Sequence, residues 1–285
     1  METLRYSKYS FTSEEDIYFS PIQYSKFKFG CKNAAREFGD VLAKGFMFSD
    51  ELKKLMEEHP DKRFVILSSP YVHIPTATFA MKDYFVRTLN SYLISKGRDP
   101  LMECKVYRKS SYKSDYGNMT KEERMNVMVN DNFYVDREFL KGKVSLFMDD
   151  IRITGAHEFR MKKMLDSLDM NDFPHCFLYY AQLNSENAHP SIEDYLNHFF
   201  VKDLVSLDKI IKNEEYIINT RVVKYILNAP HEECKTFCQY QKHSFLHTVY
   251  HYALGNSYHK IPDYQENLSF IKDLLRNSRK IILYP

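Results

Sequence analysis

One stretch near the middle of the chain constrains the fold more than any other. The apolar run Val144–Met148 ends in two adjacent carboxylates, Asp149 and Asp150, and Thr154–Gly155 follow in a short turn. A helical pattern begins at His157, so the stretch predicts a strand, an acid pair, a loop and a helix. Carboxylates accept hydrogen bonds from ribose hydroxyls, and a helix start presents backbone N–H groups to an anion. This acid-pair unit is therefore suited to a sugar phosphate.

Composition places the chain among ordinary globular proteins. Hydrophobic residues make up 44% and charged residues 27% of the 285 residues, which suits one large or two modest domains. The formal net charge is only +2. Because binders of nucleic acid are usually strongly basic, this charge disfavours a nucleic-acid partner, which stays only a weak alternative.

The cysteines and the N-terminal residues indicate a compartment. The five cysteines show no spacing typical of a disulfide framework, so we expect free thiols in a reducing environment. Residues 1–7 lack an apolar signal segment, and no apolar run is long enough to span a membrane. We therefore expect a cytoplasmic protein with no membrane partner.

Strands and helices alternate through the first two thirds of the chain. Short apolar runs predict buried strands at residues 63–67, 101–107, 144–148 and 176–183. Helical patterns fill the intervals at residues 33–48, 49–59 and 76–96. This alternation predicts a parallel sheet with ligands beyond the carboxyl ends of its strands. Residues 19–29, with alternating aromatics, predict an extended segment.

The character of the chain changes after Leu183. A polar link at 184–190 precedes a region that is helical by pattern and poor in β-branched runs. The predicted helices are residues 190–200, 206–213, 219–228, 231–254 and 263–277. We therefore place a boundary at this link and expect a helical C-terminal region.

The acid-pair unit resembles the phosphopentose-binding motif of type I phosphoribosyltransferases. That motif is an apolar strand, two acids and a loop with Thr-Gly and a small or hydroxylated residue. Asp149, Asp150, Thr154, Gly155 and Ala156 match it in order.

Two further segments resemble uncharacterised bacterial phosphoribosyltransferase-like proteins, some from stress-associated clusters related to tellurium resistance. They are Tyr24–Gly30 and Asp115–Gly117, and the resemblance covers roughly residues 20–183. It implies an α/β fold, with a parallel-sheet phosphoribosyltransferase-like core over 1–183 and an all-helical extension over 184–285. Residues 1–30 are a candidate hood over the acceptor base.

The resemblance also implies roles for individual residues. Asp149 and Asp150 would hold the ribose hydroxyls, stabilise developing positive charge and contact Mg²⁺. The 5′-phosphate would bind the loop residues Ile153, Thr154, Gly155, Ala156 and His157. The diphosphate would bind a second loop made of Ser68, Ser69, Pro70 and Tyr71. A lid would supply the cations Arg108, Lys109 and Lys113.

One position departs from the family pattern. His157 stands where the family usually has Thr or Ser, whose hydroxyl donates to the 5′-phosphate. The first hypothesis is a Mg²⁺-dependent phosphoribosyltransferase that uses phosphoribosyl pyrophosphate and a nitrogenous base or related acceptor. The alternative is a non-catalytic sensor of a phosphoribosyl metabolite or a nucleotide on the same fold. Homodimer formation and a protein-binding role for the helical region are both left open.

Two rival sites fit the residues less well. Acid pairs also end the Walker B strands of P-loop nucleotide hydrolases, but the chain contains no Gly-x-x-x-x-Gly-Lys-Ser/Thr motif. A zinc site is suggested by His243, His247 and His251, with Cys234 and Cys238 before them. Three histidines in one helical column span about 12 Å, too far to share one ion, so we favour a packing stripe.

Overall fold

The computed structural model describes residues 3–108, 133–185 and 191–282. Its strands are β1 (Leu4–Phe11), β2 (Phe64–Ser68), β3 (Met102–Glu103), β4 (Tyr107–Arg108), β5 (Phe133–Tyr134), β6 (Val144–Arg152) and β7 (His175–Leu183). Five of them form one sheet in the order β1-β7-β6-β2-β3, and every neighbouring pair is parallel. Strands β4 and β5 form a separate antiparallel pair. The predicted α/β fold with a parallel sheet is confirmed.

Helices cover both faces of the sheet. Those before residue 184 are α1 (Pro21–Lys28), α2 (Lys32–Met47), α3 (Asp50–Glu58), α4 (Ala77–Ser95), α5 (Arg137–Leu140) and α6 (Ala156–Ser167). The C-terminal ones are α7 (Ser191–His198), α8 (Leu204–Asn213), α9 (Thr220–Leu227), α10 (His231–Gln239), α11 (His243–Gly255) and α12 (Pro262–Ile282). The predicted all-helical C-terminal region is thus confirmed. Within the described ranges, no helix combines the length and the apolar character that a membrane crossing requires.

Strand β6 divides two apolar cores. Leu146 and Met148 belong to the larger core, which α1, α2, α4 and the C-terminal helices also fill. Phe147 belongs to the smaller core beneath α6. Because side chains alternate along a strand, Asp149 extends the small-core face and Asp150 the large-core face. The two carboxylates therefore lie at the carboxyl end of β6, on opposite faces of the sheet.

The C-terminal helices pack on the same large core as the sheet. Val223 and Ile226 of α9 are fully buried in that core. The rings of Phe29 and Tyr225 meet edge to face with centroids 5.0 Å apart. These contacts fix α9 beside the end of α1.

The extended segment predicted at residues 19–29 is wrong, because residues 21–28 form α1. The Ser20 side chain accepts a hydrogen bond from the Gln23 N–H at 3.3 Å, and Pro21 occupies the first turn. Both features are typical helix starts. Tyr24 and Phe27, three residues apart, share the buried side of α1.

Three other parts of the secondary structure differ from the prediction. Strand β1 was not anticipated; it pairs with β7 at the sheet edge. The strand expected at 101–107 is reduced to β3 and β4, which lie in different sheets. The single helix expected at 231–254 is two helices, since the chain turns at Tyr240 and Lys242 is extended. That break lets the rings of Phe237 and Phe245 pack edge to face, with centroids 6.2 Å apart.

Candidate active site

A cavity of about 250 Å³ opens at the carboxyl end of β6. Both acids of the pair line it, together with all five residues of the loop 153–157, which was predicted to bind a phosphate and is called the phosphate loop below. The other lining residues are Lys28, Ser69, Pro70, Thr76, Ala77, Thr78, Arg108, Phe133, Ile151, Arg152, Glu158, Arg160, Tyr179, Glu193, Thr220, Arg221 and Lys224. Parallel α/β sheets commonly bind ligands beyond the carboxyl ends of their strands.

Asp149 lines the cavity and is held there by a group from the loop after β2 and a group from the first turn of α6. The Ser69 hydroxyl donates to Oδ1 at 2.6 Å, and His157 Nδ1 lies 3.0 Å from Oδ2. Burial alone would raise the pKa of Asp149, but the nearby His157 charge and the Ser69 hydrogen bond outweigh it. The pKa is held well below its usual range, so this carboxylate is anionic and ready to accept hydrogen bonds.

Asp150 is already engaged by α1. The Tyr24 hydroxyl donates to Oδ2 at 2.8 Å, and Lys28 Nζ forms an ion pair with the same oxygen. The residue is 4% exposed, and Tyr24 is fully buried. Only part of this carboxylate is therefore available to a ligand in the cavity.

The phosphate loop makes a tight bend into α6. Gly155 has a φ of +71°, in the left-handed region, which glycine adopts without strain. A Cβ built there would lie 2.9 Å from the Arg152 guanidinium, so the absence of a side chain also makes room for that cation. The first N–H groups of α6 lack partners within the helix and form a ready anion site.

His157 lines the cavity, and one of its two ring nitrogens faces Asp149. Both nitrogen atoms are buried: Nδ1 lies within ion-pair distance of Asp149, and Nε2 has no hydrogen-bond partner among the described residues. A buried polar group without a hydrogen bond is costly. A ligand oxygen beside Nε2 would relieve that cost.

Glu158 anchors the start of α6. It is 4% exposed and accepts two hydrogen bonds from Arg5 of β1, at 2.9 and 2.7 Å. Arg152 Nε donates to it at 3.1 Å, and Lys162 Nζ lies 2.9 Å away. Burial would raise the pKa of Glu158, but the hydrogen bonds from Arg5 and Lys162 outweigh burial and lower it to about 2.

The loop after β2 contributes only in part. Ser69 and Pro70 line the cavity, whereas Ser68 and Tyr71 are not among its lining residues. Ser68 is buried at the end of β2. Tyr71 lies beneath Lys105, whose Nζ is 4.1 Å from the ring centroid.

The predicted lid lies mostly outside the described residues. Arg108 ends β4 and lines the cavity. Lys109 and Lys113 fall within residues 109–132, which the structure does not describe.

Several lining residues escaped the sequence analysis. Lys28 and the start of α4 (residues 76–78) come from neighbouring elements, and Arg221 and Lys224 come from α9. No local sequence motif marks Arg221 or Lys224 as site residues. They lie about seventy residues after the acid pair, so the acid-pair unit gives no indication of them either. For Lys28, the helix-start signals at Ser20 and Pro21 would have placed it one turn after Tyr24.

The oxygen donors suit a magnesium ion that arrives with a phosphorylated ligand. Mg²⁺ prefers oxygen ligands and is usually bound through substrate phosphates plus one or two carboxylates. Asp149 supplies an anionic oxygen on the cavity wall, while Asp150 is shared with Lys28. Among the described residues, no group of three or more His, Cys, Asp or Glu side chains forms a protein-only metal site.

The cysteines and histidines of the rival zinc interpretation do not converge on a metal. Cys234 and Cys238 are buried with their sulfur atoms 3.8 Å apart on α10. The rings of His247 and His251 on α11 are tilted against each other, with centroids 4.2 Å apart. In the described part of the chain these groups form no metal cluster.

Comparison with known proteins adds a family match. The model of the family described as "PRTase ComF-like" matches residues 3–271, which include most of the C-terminal helices. The match is longer than the resemblance found over residues 20–183. No curated protein matches the chain.

Solved structures similar to the chain include two purine phosphoribosyltransferases. A hypoxanthine phosphoribosyltransferase from Staphylococcus aureus is 12% identical, with 54% of this chain and 67% of that chain covered and a TM-score of 0.31. The L. donovani hypoxanthine-guanine phosphoribosyltransferase is 13% identical, with 53% and 72% covered and a TM-score of 0.31. A hypothetical protein from Neisseria gonorrhoeae with bound ppGpp is 11% identical, with 59% and 93% covered and a TM-score of 0.25.

Proposed function

The chain belongs to the PRTase ComF-like family, and on that premise we propose that it is a magnesium-dependent phosphoribosyltransferase. Its substrates would be phosphoribosyl pyrophosphate and a nitrogenous base or related acceptor. The observation that carries the proposal is the meeting, in one cavity, of the anionic Asp149 with the bend at Gly155 that opens α6. That pair of features suits the two ends of a phosphorylated ribose.

The phosphate loop would bind the 5′-phosphate. The N–H groups at the start of α6 and the positive end of the helix dipole favour an anion there. Arg152, positioned by Glu158, adds a cation beside Gly155. Nε2 of His157, the ring nitrogen that does not face Asp149, would supply a further partner for a phosphate oxygen.

Asp149 would accept hydrogen bonds from the ribose hydroxyls. In the transfer, the bond between C1 of ribose and the diphosphate oxygen breaks, and a bond from C1 to the acceptor nitrogen forms. The diphosphate leaves with the bonding electron pair, and the acceptor nitrogen loses its proton. A fixed carboxylate beside the sugar stabilises the positive charge that develops on the ring.

The leaving diphosphate would lie beside Ser69 and the start of α4. The residues of that helix start, 76–78, line the cavity, and helix starts attract phosphate groups. Arg108 supplies a cation on the cavity wall. When bound with the diphosphate, Mg²⁺ would neutralise the charge that accumulates on the leaving group.

A non-catalytic sensor on the same fold is the second candidate. Two observations favour it: His157 replaces the family's hydroxyl residue, and Asp150 is occupied by Tyr24 and Lys28. A sensor would bind the same phosphoribosyl ligand without turnover, since fold alone does not guarantee activity.

Calorimetric titration with phosphoribosyl pyrophosphate and Mg²⁺, followed by assay of pyrophosphate release with a panel of bases, tests the proposal. We expect saturable binding that Asp149→Asn weakens about tenfold or more, as expected for a lost hydrogen bond to a charged group. Asp172→Asn is the matched control. Asp172 is exposed and lies just before the first residue of β7, at the end of that strand opposite to the cavity. Binding without turnover across the panel would favour the sensor, and no binding by the unmodified protein would refute both candidates.

A further inference from the structure

We infer that Asn256 is a positioning residue for the proposed transfer, because it holds the loop after β2 in the conformation that binds the diphosphate. Asn256 directly follows α11 in the C-terminal helical region, and it is not among the residues that line the cavity. The inference rests on the proposed function and gives the helical region a part in it. Affinity for phosphoribosyl pyrophosphate depends on a contact made outside the cavity.

The side-chain amide of Asn256 binds the backbone of that loop directly. Its Oδ1 accepts hydrogen bonds from the N–H groups of His73 and Ile74, at 2.9 and 3.0 Å. Ile74 is fully buried, and a buried backbone N–H needs an acceptor. Asn256 is buried too, and its Nδ2 donates to the Tyr258 hydroxyl at 3.0 Å. Because both loop groups are donors, the amide oxygen must face the loop, and the bond to Tyr258 holds it in that orientation.

Two further contacts join the same loop to the C-terminal region. The Thr220 hydroxyl, at the start of α9, donates to the Ile74 carbonyl at 2.7 Å, and the Thr220 N–H donates to the Pro75 carbonyl at 2.9 Å. Gly255, the last residue of α11, leaves the space that the His73 ring occupies, since a Cβ built there would overlap that ring. Three consecutive residues of the loop are therefore held by the helical region, through both N–H and carbonyl groups.

The held residues come directly before the part of the loop that meets the proposed ligand. Pro75 is followed by residues 76–78, which line the cavity together with Ser69. A helix start binds an anion only where its N–H groups point at that anion, and a misplacement of about 1 Å can cost about a hundredfold in rate. Asn256 thus acts on the diphosphate through the loop. The phosphate loop lies between β6 and α6, on other elements, so binding of ribose 5-phosphate should not sense the change.

A selective loss of affinity for the diphosphate tests the inference. Calorimetry measures the binding of phosphoribosyl pyrophosphate with Mg²⁺, and of ribose 5-phosphate, which lacks the diphosphate. The proteins are the unmodified chain, Asn256→Ala and the matched control Asn267→Ala, and thermal unfolding shows first that each is folded. Asn267 is equally buried in the helical region, but its Nδ2 donates to the carbonyls of Leu227 and Ala229, which belong to that same region.

A second variant decides the matter if Asn256→Ala does not fold. Gly255→Ala keeps Asn256 and adds a Cβ that would press on the His73 ring. Gly255 lies within α11, and alanine favours a helix more than glycine does, so the helix itself should not be weakened. This variant should show the same selective loss.

We expect the unmodified chain to bind phosphoribosyl pyrophosphate more tightly than ribose 5-phosphate. Asn256→Ala should lose about tenfold or more of its affinity for phosphoribosyl pyrophosphate and keep its affinity for ribose 5-phosphate, whereas Asn267→Ala should keep both. The inference is overturned if Asn256→Ala, or Gly255→Ala in its place, keeps both affinities or loses both equally, or if Asn267→Ala shows the same selective loss. Equal binding of the two ligands by the unmodified chain also overturns it, because the diphosphate would then have no site. Failure of the unmodified chain to bind either ligand instead refutes the proposed function.

Discussion

Replacing Glu158 by Gln should destabilise the protein by about 3 kcal/mol at neutral pH. The pKa of this group is lowered from 4.5 to about 2, and a tenfold change in proton affinity corresponds to about 1.4 kcal/mol. The carboxylate is 4% exposed, so solvent screens its interactions little. Gln keeps the shape but leaves Arg5, Arg152 and Lys162 without their shared anion.

The stabilisation should depend on pH in a defined direction. Because the folded-state pKa lies below the unfolded one, the contribution is fully present above about pH 4.5 and is lost as pH falls toward 2. Urea unfolding of the unmodified protein and the variant, at about pH 7 and about pH 3, measures both values. Glu138→Gln is the control, since Glu138 is a largely exposed side chain. A stability difference below about 0.5 kcal/mol at neutral pH, or one that does not shrink in acid, would refute the reasoning.

Other substitutions test separate parts of the structure. Gly155→Ala should weaken ribose 5-phosphate binding in calorimetry, because the new Cβ would meet the Arg152 guanidinium. Gly142 has a similar φ with open space around it, so the control Gly142→Ala should leave that binding unchanged. Equal losses of affinity in the two variants would contradict this. Tyr24→Phe should cost about 1–3 kcal/mol in urea unfolding, since it removes a hydrogen bond to a buried carboxylate; an unchanged midpoint would contradict this. In thiol labelling of the native protein, Cys104 should react first because the other four cysteines are buried; a fast phase that survives Cys104→Ser would contradict this.

The sequence predicted those elements whose signals are local. The acid-pair unit is contiguous, so its strand, bend and helix could be located together, and the structure has them as β6, Gly155 and α6. The apolar runs of β2 and β7 were recognised for the same reason. The helical character of the region after residue 190 followed from its periodicity.

Features set by distant partners could not be predicted in this way. Glu158 depends on Arg5, 153 residues away, and Asp150 depends on Lys28, 122 residues away. Strand β1 is stabilised by its pairing with β7, which lies far away in the sequence. For α1, two local signals disagreed. Ser20 and Pro21 mark a helix start, but the alternating aromatic residues were given more weight and predicted an extended segment.

A crystal structure with ribose 5-phosphate and Mg²⁺ tests the central claim most directly. The account predicts the phosphate within hydrogen-bond distance of the backbone N–H groups at the start of α6, and a ribose hydroxyl on Asp149. A sugar phosphate bound elsewhere, with the bend at Gly155 and the Asp149 carboxylate left without contact to it, would contradict the account.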